Sequence, residues 1–140
     1  MQAVATWRRG HEILLEDGRA HSVVVDLPVE DGGTSAGTTP LELSLLSLAG
    51  SLASTFVTLA RKRRLDFSGL SLALEEGEPA SGAGVGAVRG TLRLRSRASR
   101  ADVEALLQAA LELSAVGRLF REAHVPVNVL AAVAPGSHTP

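Results

Sequence analysis

The sequence of 140 residues contains no cysteine. Disulfide frameworks, thiolate zinc sites and every cysteine-based catalytic mechanism are therefore excluded for this chain as written. Aromatic residues are also scarce, with one tryptophan, three phenylalanines and no tyrosine. So few rings do not make the base-stacking platform of a single-strand nucleic-acid-binding protein.

Neither sign of charge is in excess, because 14 basic and 15 acidic residues leave a formal net charge of −1. Such a chain has no long-range field to gather nucleic acid or an anionic membrane. Its hydrophobic content of 45% is too high for a disordered protein. The length predicts one domain, which we place at residues 1–134, with a disordered tail at residues 135–140. The N-terminus lacks the layout of a secretory signal, so we expect a cytoplasmic protein.

Short runs rich in β-branched residues fill the N-terminal third and predict a three-stranded meander. Gly10 and the turn pair Asp17-Gly18 separate the runs. A segment rich in glycine, threonine and serine, residues 28–38, then predicts a flexible connection. The predicted strands are Ala3–Arg8, His11–Glu16 and Ala20–Leu27.

A long apolar helix is predicted to begin at Thr39. Thr39 offers an N-cap hydroxyl, Pro40 suits the first helical position, and Glu42 supplies the carboxylate of a capping box. The helix ends at the basic cluster Arg61–Arg64, where cations complement the helix dipole. Because the helix is apolar nearly all round, it must be surrounded by protein or by lipid.

A single membrane span with a basic anchor is the alternative interpretation of this helix. Two features favour a central core helix and no membrane association. The flanking segments are rich in strands, which a single-span protein does not need. The helix also carries many hydroxyl side chains, namely Ser44, Ser47, Ser51, Ser54, Thr55 and Thr58.

The C-terminal half alternates again between apolar and polar residues and predicts a hairpin, with strands at Leu70–Glu75 and Val88–Arg95. Glu75, Glu76 and Glu78 are expected to face the arginines of the second strand. A second helix is predicted to begin at Ser99, with an interruption near residues 114–117 and a further helical segment at residues 118–123. A closing strand is predicted at residues 125–133. The order β-β-β-α-β-β-α-α-β predicts an α+β fold.

Three other patterns are interpreted as ordinary structure. Gly82–Ala87 matches the sequence motif of a dinucleotide-binding loop, but that motif requires a helix after it. Because a strand follows here, we predict a hairpin loop. The four histidines form no metal-ligand motif, so we predict no metal. No serine hydrolase elbow is present, and we predict no cofactor. The balanced charge and the scarcity of aromatic residues predict no nucleic-acid partner. A group of arginines could grip phosphates, but nearby acids favour a solvated, ion-paired face. These arginines are Arg89, Arg93, Arg95, Arg97 and Arg100.

Two stretches of the sequence resemble the OsmC/Ohr proteins. Thr39–Ser51, followed by Arg61–Asp66, is similar to the family's central helix, which has a proline near its start, a glutamate one or two places on, and a small-Gly-Cys or small-Ala-Cys step. Ser114–Phe120 is similar to the family's Cys-Pro-Val-Ser-Arg-x-Leu stretch, and Val125–Val129 follows where the family has its last strand. The resemblance implies an OsmC-like fold, with a long central helix packed on antiparallel sheet, in an intertwined homodimer.

The activity that the resemblance implies is the thiol-dependent reduction of organic hydroperoxides in the bacterial stress response. Two cysteines at the subunit interface perform it, and Ser51 and Ser114 fall at their positions. A thiolate attacks the peroxide oxygen, becomes a sulfenic acid and is captured by the partner thiol. A hydroxyl performs neither step, so we predict no peroxidase activity.

Further site residues are implied by the same resemblance. Glu42 matches the family's glutamate, although the capping box explains it equally well. Arg118 falls within the second motif, where it is equally a surface residue of a helix. The family's activating arginine comes from the N-terminal strands, where Arg8, Arg9 and Arg19 are candidates.

Three accounts of the serines remain open. In the first account, the protein is a natural cysteine-free branch that keeps an apolar pocket at the dimer interface for a small hydrophobic or peroxide-like ligand. In the second account it is an active-site knockout. In the third account its serines support another reaction. No general base is visible in either motif, which disfavours the last account. We favour the first. We also expect Ser51 to bond the carbonyl one turn back and Ser114 to cap the following turn.

Overall fold

In the computed structural model, which describes residues 1–79 and 85–136, the chain divides after Ser44 into two units. The elements follow the order β-β-β-α-β-β-α-α-β, with an additional 3-10 turn at Val29–Asp31. The predicted order and the α+β class are confirmed. The predicted domain limits stay a prediction, and residues 137–140 of the predicted tail lie outside the described residues.

The first unit contains an antiparallel sheet of strands β1 (Val4–Arg9), β2 (Glu12–Glu16) and β3 (Ser22–Val25). Strand β3 begins later than predicted. The Asp17 carboxylate accepts the backbone N–H groups of Arg19 and His21, and Ala20 has a φ of 66°. Because a left-handed residue does not continue a strand, the turn extends to His21.

A buried carboxylate organises the connection after β3. Asp26 is 2% exposed and accepts the backbone N–H groups of Thr34 and Ala36, at 3.0 and 3.1 Å, and the Thr34 hydroxyl at 2.7 Å. These bonds, with the Thr34 hydroxyl as the largest cause, hold the pKa of Asp26 well below its usual value. The prediction of a flexible connection therefore missed the residue that holds this segment in place.

Helix α1 (Pro40–Lys62) begins at the predicted capping box. The Glu42 backbone N–H donates to the Thr39 hydroxyl at 3.1 Å, and the Thr39 backbone N–H donates to the Glu42 carboxylate at 2.7 Å. The bond from the Thr39 backbone is the largest cause of a lowered pKa at Glu42, and the Thr38 hydroxyl adds to it. The capping-box prediction is confirmed.

One face of α1 is buried and the opposite face is open in the single chain. Leu48, Leu52, Phe56 and Ala60, spaced four residues apart, are buried, whereas Leu46 is 58% exposed. By length and composition α1 is able to cross a membrane, and 22% of its most apolar window is buried. The prediction of a core helix therefore holds for one face only.

The second unit contains the sheet β4 (Phe67–Glu76), β5 (Val88–Ser96) and β6 (Val127–Pro135), in that order. Strands β4 and β5 form the predicted antiparallel hairpin. Strand β6 pairs in parallel with β5, so the sheet is mixed rather than wholly antiparallel as the family resemblance implied. Two helices, α2 (Arg100–Leu113) and α3 (Ala115–Glu122), provide the crossover that a parallel pair requires.

Helix α3 and strand β6 differ from the prediction at their first residues. Helix α3 begins at Ala115 instead of Arg118, because Ser114 caps it directly. Strand β6 begins at Val127 because the Val125 backbone N–H still donates to the carbonyl of Phe120, at 2.9 Å. His124, with a φ of 59°, ends the helix in a left-handed conformation.

The core of the second unit lies between the inner face of its sheet and the helices. The outer face of β5 carries arginines, as the alternation predicted. Buried residues of α1, β5, α2 and β6 form the main cluster, which includes Leu52, Phe56, Leu92, Leu94, Val103, Leu106, Leu107 and Val129.

The described end of the connection between β4 and β5 leads directly into a strand, as predicted for a hairpin. Residues 80–84, which include part of the Gly82–Ala87 motif, lie outside the described residues. Residues 85–87 precede β5 without an intervening helix. The Gly86 backbone N–H donates to the Glu76 carboxylate at 2.8 Å, so this acid supports the loop rather than facing an arginine.

Candidate functional site

Two serines from distant parts of the sequence meet in the second unit. The hydroxyl oxygens of Ser51 and Ser114 are 2.8 Å apart and share a hydrogen bond across 63 residues of sequence. Ser114 is completely buried and Ser51 is half-buried. The sequence comparison that placed both at cysteine positions therefore identified two side chains that are direct neighbours.

Ser51 lies in the middle of α1 and does not make the bond predicted for it. We expected its hydroxyl to bond the carbonyl one turn back, but the hydroxyl faces Ser114. Thr55 makes the back-bond instead, because its hydroxyl donates to the Ser51 carbonyl at 2.8 Å. The Val116 backbone N–H also points at the Ser51 hydroxyl, at 3.4 Å.

Ser114 lies between α2 and α3 and caps α3, as predicted. Its hydroxyl accepts the backbone N–H of Gly117 at 3.0 Å. Its own backbone N–H donates to the carbonyl of Ala110 at 2.8 Å, which ends α2. Two fixed backbone bonds therefore hold this hydroxyl against Ser51.

Gly117 and Arg121 are site residues that the sequence analysis missed. An added Cβ at Gly117 would lie 3.1 Å from the Ser114 hydroxyl oxygen and 3.1 Å from the carbonyl oxygen of Leu111. The Arg121 guanidinium donates to the carbonyl of Glu112 at 3.1 Å, so it secures the end of α2 next to the serine turn. The signal for Gly117 was available, since a glycine three residues after an N-cap serine allows close approach of the capping hydroxyl.

A small apolar cluster includes neighbours of the serine pair. Leu48 is one turn before Ser51 on α1, and Val116, whose N–H points at Ser51, packs against the same cluster. Phe120 follows on α3. The buried members of this cluster are Leu48, Val88 and Phe120, and the partly buried ones are Leu45, Leu74, Val85, Val116, Val125 and Val127.

The other predicted site residues have local roles. Arg118 is exposed on α3, and its backbone N–H donates to the Ser114 carbonyl at 2.9 Å. Glu42 is committed to its capping box in the first unit. In that unit Arg9 pairs with Glu12 at 3.0 Å and Arg19 with Asp17 at 3.2 Å, while Arg8 is exposed on β1. A catalytic or binding role for these residues stays a prediction.

Comparison with known protein families gives a match over most of the chain. A family model described as OsmC-like protein matches residues 32–130. The matched range contains Ser51, Ser114, Glu42 and Arg118. Comparison with curated proteins gives no match.

Solved structures of OsmC-like and organic hydroperoxide resistance proteins are similar in fold. An OsmC-like protein from Mycoplasma pneumoniae has a TM-score of 0.83 and 14% identity, and the match covers 95% of this chain and 96% of that one. The organic hydroperoxide resistance protein OhrB of Bacillus subtilis has a TM-score of 0.62 and 20% identity, covering 94% and 98%. A putative organic hydroperoxide resistance protein from Vibrio cholerae, with captopril bound in one of its active sites, has a TM-score of 0.66 and 20% identity, covering 92% and 91%.

Proposed function

Because the chain belongs to the OsmC-like protein family, we propose that it has lost thiol peroxidase activity and uses the family's site as a pocket for a small hydrophobic ligand. The observation that carries this proposal is the hydroxyl pair of Ser51 and Ser114, 2.8 Å apart in a chain without a cysteine. The proposal includes a homodimer in the bacterial cytoplasm, with the pocket at the subunit interface.

The chemistry of the serine pair supports the loss of peroxidase activity. In the thiol reaction, the thiolate sulfur attacks a peroxide oxygen, the O–O bond breaks, and an alcohol and a sulfenic acid form. The second thiol then displaces water from the sulfenic acid to form a disulfide, which a dithiol reduces. A serine oxygen donates no such electron pair and reaches no such oxidation state, so neither hydroxyl begins the cycle.

The hydrogen bonds of the pair also disfavour a serine-based reaction. A nucleophilic serine needs an adjacent base to take its proton. None of the bonds that described residues make to either hydroxyl comes from a histidine or a carboxylate. The described bonds therefore provide no base that would activate either serine as a nucleophile.

Proton positions suggest how the pair binds a ligand. Ser114 is completely buried, and Ser51 is the acceptor that its hydroxyl bonds give for its proton, so we assign this proton to the Ser51 oxygen. The proton of the half-buried Ser51 is then free to donate to an oxygen atom of a ligand. A small apolar molecule with one oxygen acceptor, such as an alcohol or a carbonyl compound, fits a hydroxyl donor beside the apolar cluster of Leu48 and Val116.

Exposed leucines support the homodimer. Leu46 on α1, Leu113 at the end of α2 and Leu119 on α3 are 58%, 61% and 63% exposed. Leu113 directly precedes Ser114, and Leu119 lies in the helix that Ser114 caps. A second copy of the chain that covers Leu113 and Leu119 would bury apolar surface next to the turn that carries Ser114.

Peroxidase assays test the loss of activity. The protein is mixed with cumene hydroperoxide and dithiothreitol, and we expect a rate of peroxide consumption equal to that of a buffer blank. The double substitution Ser51→Cys with Ser114→Cys is expected to produce peroxidase activity, because it restores two adjacent thiols. The matched control places cysteines at two exposed serines that do not meet, Ser54→Cys with Ser99→Cys, and is expected to stay at the blank rate. Activity in the unmodified chain, or a folded but silent double variant, would contradict the proposal.

Ligand binding is tested with cumyl alcohol and other small apolar alcohols. We expect the unfolding temperature of the protein to rise with alcohol concentration, because the ligand binds only the folded chain. Ser51→Ala removes the hydroxyl donor with almost no change in side-chain volume, and is expected to lose most of this rise. A flat response to every alcohol in the unmodified chain would overturn the binding part of the proposal.

A further inference from the structure

The outer face of the sheet in the second unit carries a basic groove that has no part in the serine site. The groove has a volume of about 750 Å³ and is lined by residues from β4, β5, β6 and the start of α2. Its charged residues are Arg93, Arg95 and Arg100, and its apolar side includes Leu130 and Ala132. Neither Ser51 nor Ser114 lines it.

The strand register leaves Arg93 and Arg95 without a carboxylate beside them. Arg93 lies between Ser71 on β4 and Ala132 on β6, and Arg95 lies opposite Ala134 on β6. Over residues 1–79 and 85–136, neither arginine forms an ion pair. The acidic partners of the region are used elsewhere, by Arg97 with Asp66 at 3.2 Å and by Arg100 with Glu104 at 2.8 Å. The sequence prediction of an ion-paired face is therefore confirmed for Arg97 and Arg100. For Arg93 and Arg95 it is wrong.

Unpaired guanidinium groups on a nearly neutral chain point to an anionic ligand. Side chains two residues apart on a strand share a face and are about 6.6 to 6.8 Å apart. Arg93 and Arg95 are such a pair, so their planar forks are able to reach one carboxylate or phosphate from two sides. Thr91 and Ser71 add hydroxyl donors at the same face.

The β6 side of the groove is apolar. Leu130 is 64% exposed, and the next residues on this face are the small side chains Ala132 and Ala134. Small side chains beside long arginines leave a trough above β6. An aliphatic chain placed there would cover Leu130 and be removed from water.

We propose that this groove binds a small amphipathic anion, with a carboxylate or phosphate head between Arg93 and Arg95 and an aliphatic part along Leu130 and Ala132. The volume of 750 Å³ lies within the range of about 300 to 1,000 Å³ usual for small-molecule sites. Nucleic acid is disfavoured because none of the described residues that line the groove is aromatic and the chain has a net charge of −1.

Isothermal titration of the unmodified chain with decyl phosphate and with decanoate, each below its micelle concentration, tests the proposal. We expect saturable binding of both probes, weaker binding of inorganic phosphate, and an affinity for decanol that does not depend on Arg93 or Arg95. Arg93→Gln with Arg95→Gln is expected to weaken decyl phosphate binding by at least about tenfold, since it removes two charge-assisted hydrogen-bonding groups. Leu130→Ser is expected to weaken decyl phosphate more than inorganic phosphate.

Two control variants make the result specific. Arg61→Gln with Arg63→Gln removes the same charge from exposed positions at the end of α1, and is expected to leave the affinity for decyl phosphate unchanged. Ser51→Ala removes the hydroxyl donor of the serine site and is also expected to leave this affinity unchanged, so failure here is distinguishable from failure of the proposed function. Equal weakening by both arginine pairs would overturn the proposal. The proposal would also be overturned if Arg93 and Arg95 bound a single-stranded oligonucleotide or an acidic peptide, and the chain bound neither decyl phosphate nor decanoate.

Discussion

Gly117 approaches Ser114 so closely that a Cβ at residue 117 would be 3.1 Å from the serine hydroxyl oxygen. The same Cβ would be 3.1 Å from the carbonyl oxygen of Leu111, which belongs to the backbone and does not rotate away. We therefore expect Gly117→Ala to lower the free energy of unfolding by about 1 to 2 kcal/mol, with the strain exceeding the gain in helix propensity. Denaturant unfolding followed by circular dichroism measures this change.

Gly50→Ala is the matched control for this helix glycine. Gly50 lies on the exposed face of α1, and no atom lies within 4 Å of the added Cβ. In a single chain this substitution is expected to raise the free energy of unfolding by about 0.5 to 1 kcal/mol. Destabilisation by Gly50→Ala that disappears on dilution would mean that a second copy packs closely on this face.

Ser114→Ala is expected to cost more stability than the removal of an exposed helix cap. The substitution removes the cap of α3 and leaves the Ser51 hydroxyl without its partner, a loss of about 2 kcal/mol. Ser99→Ala removes the cap of α2 at an exposed position and is expected to cost about 1 kcal/mol. Equal losses in the two variants, measured by thermal unfolding, would mean that the bond between the two hydroxyls contributes no stability.

Asp26 is expected to make the first unit sensitive to acid. Folding lowers the pKa of Asp26, so its ionised carboxylate stabilises the folded chain above the unfolded pKa of about 3.9. This contribution is lost as the pH falls below about 4 toward the folded pKa. Asp26→Asn should therefore be less stable than the unmodified chain at pH 7 and change less between pH 4 and pH 2 in the same unfolding measurement. Asp31→Asn, an exposed change in the same segment, should follow the unmodified chain.

Leu46→Glu tests the proposed homodimer. Leu46 is 58% exposed on the open face of α1, so a charge there should not disturb the interior of one chain. If a second copy covers this face, the buried charge should shift the protein to monomer in sedimentation velocity. Leu130→Glu, at a leucine 64% exposed on the outer face of the sheet, is the control and should leave the oligomeric state unchanged. A protein that is monomeric before any substitution would contradict the dimer.

Patterns set by neighbouring residues predicted most of the fold. The capping box at Thr39 and Glu42 and the N-cap at Ser99 gave correct helix starts. The alternation along β5 separated the buried Val88, Leu92 and Leu94 correctly from the exposed Arg89, Arg93 and Arg95. These signals lie within a few residues of the structure that they specify, so a single sequence contains them.

Features that depend on distant or buried partners escaped the sequence analysis. Nothing in the sequence near Asp26 shows that its carboxylate becomes buried and bonds a segment eight to ten residues later. The parallel pairing of β6 depends on where the chain returns to the sheet, which local pattern does not record. The serine pair was identified through family resemblance alone, because two hydroxyl residues so far apart carry no spacing signal of their own.

The turn that carries Ser114 lies within the crossover between the parallel strands β5 and β6. Two parallel strands pair late during folding, because ordering the long chain segment between them costs entropy before the contacts between the strands stabilise the chain. We therefore expect the hydroxyl contact with α1 to form after the folding barrier. Loss of either hydroxyl should therefore speed the unfolding rate and leave the refolding rate almost unchanged.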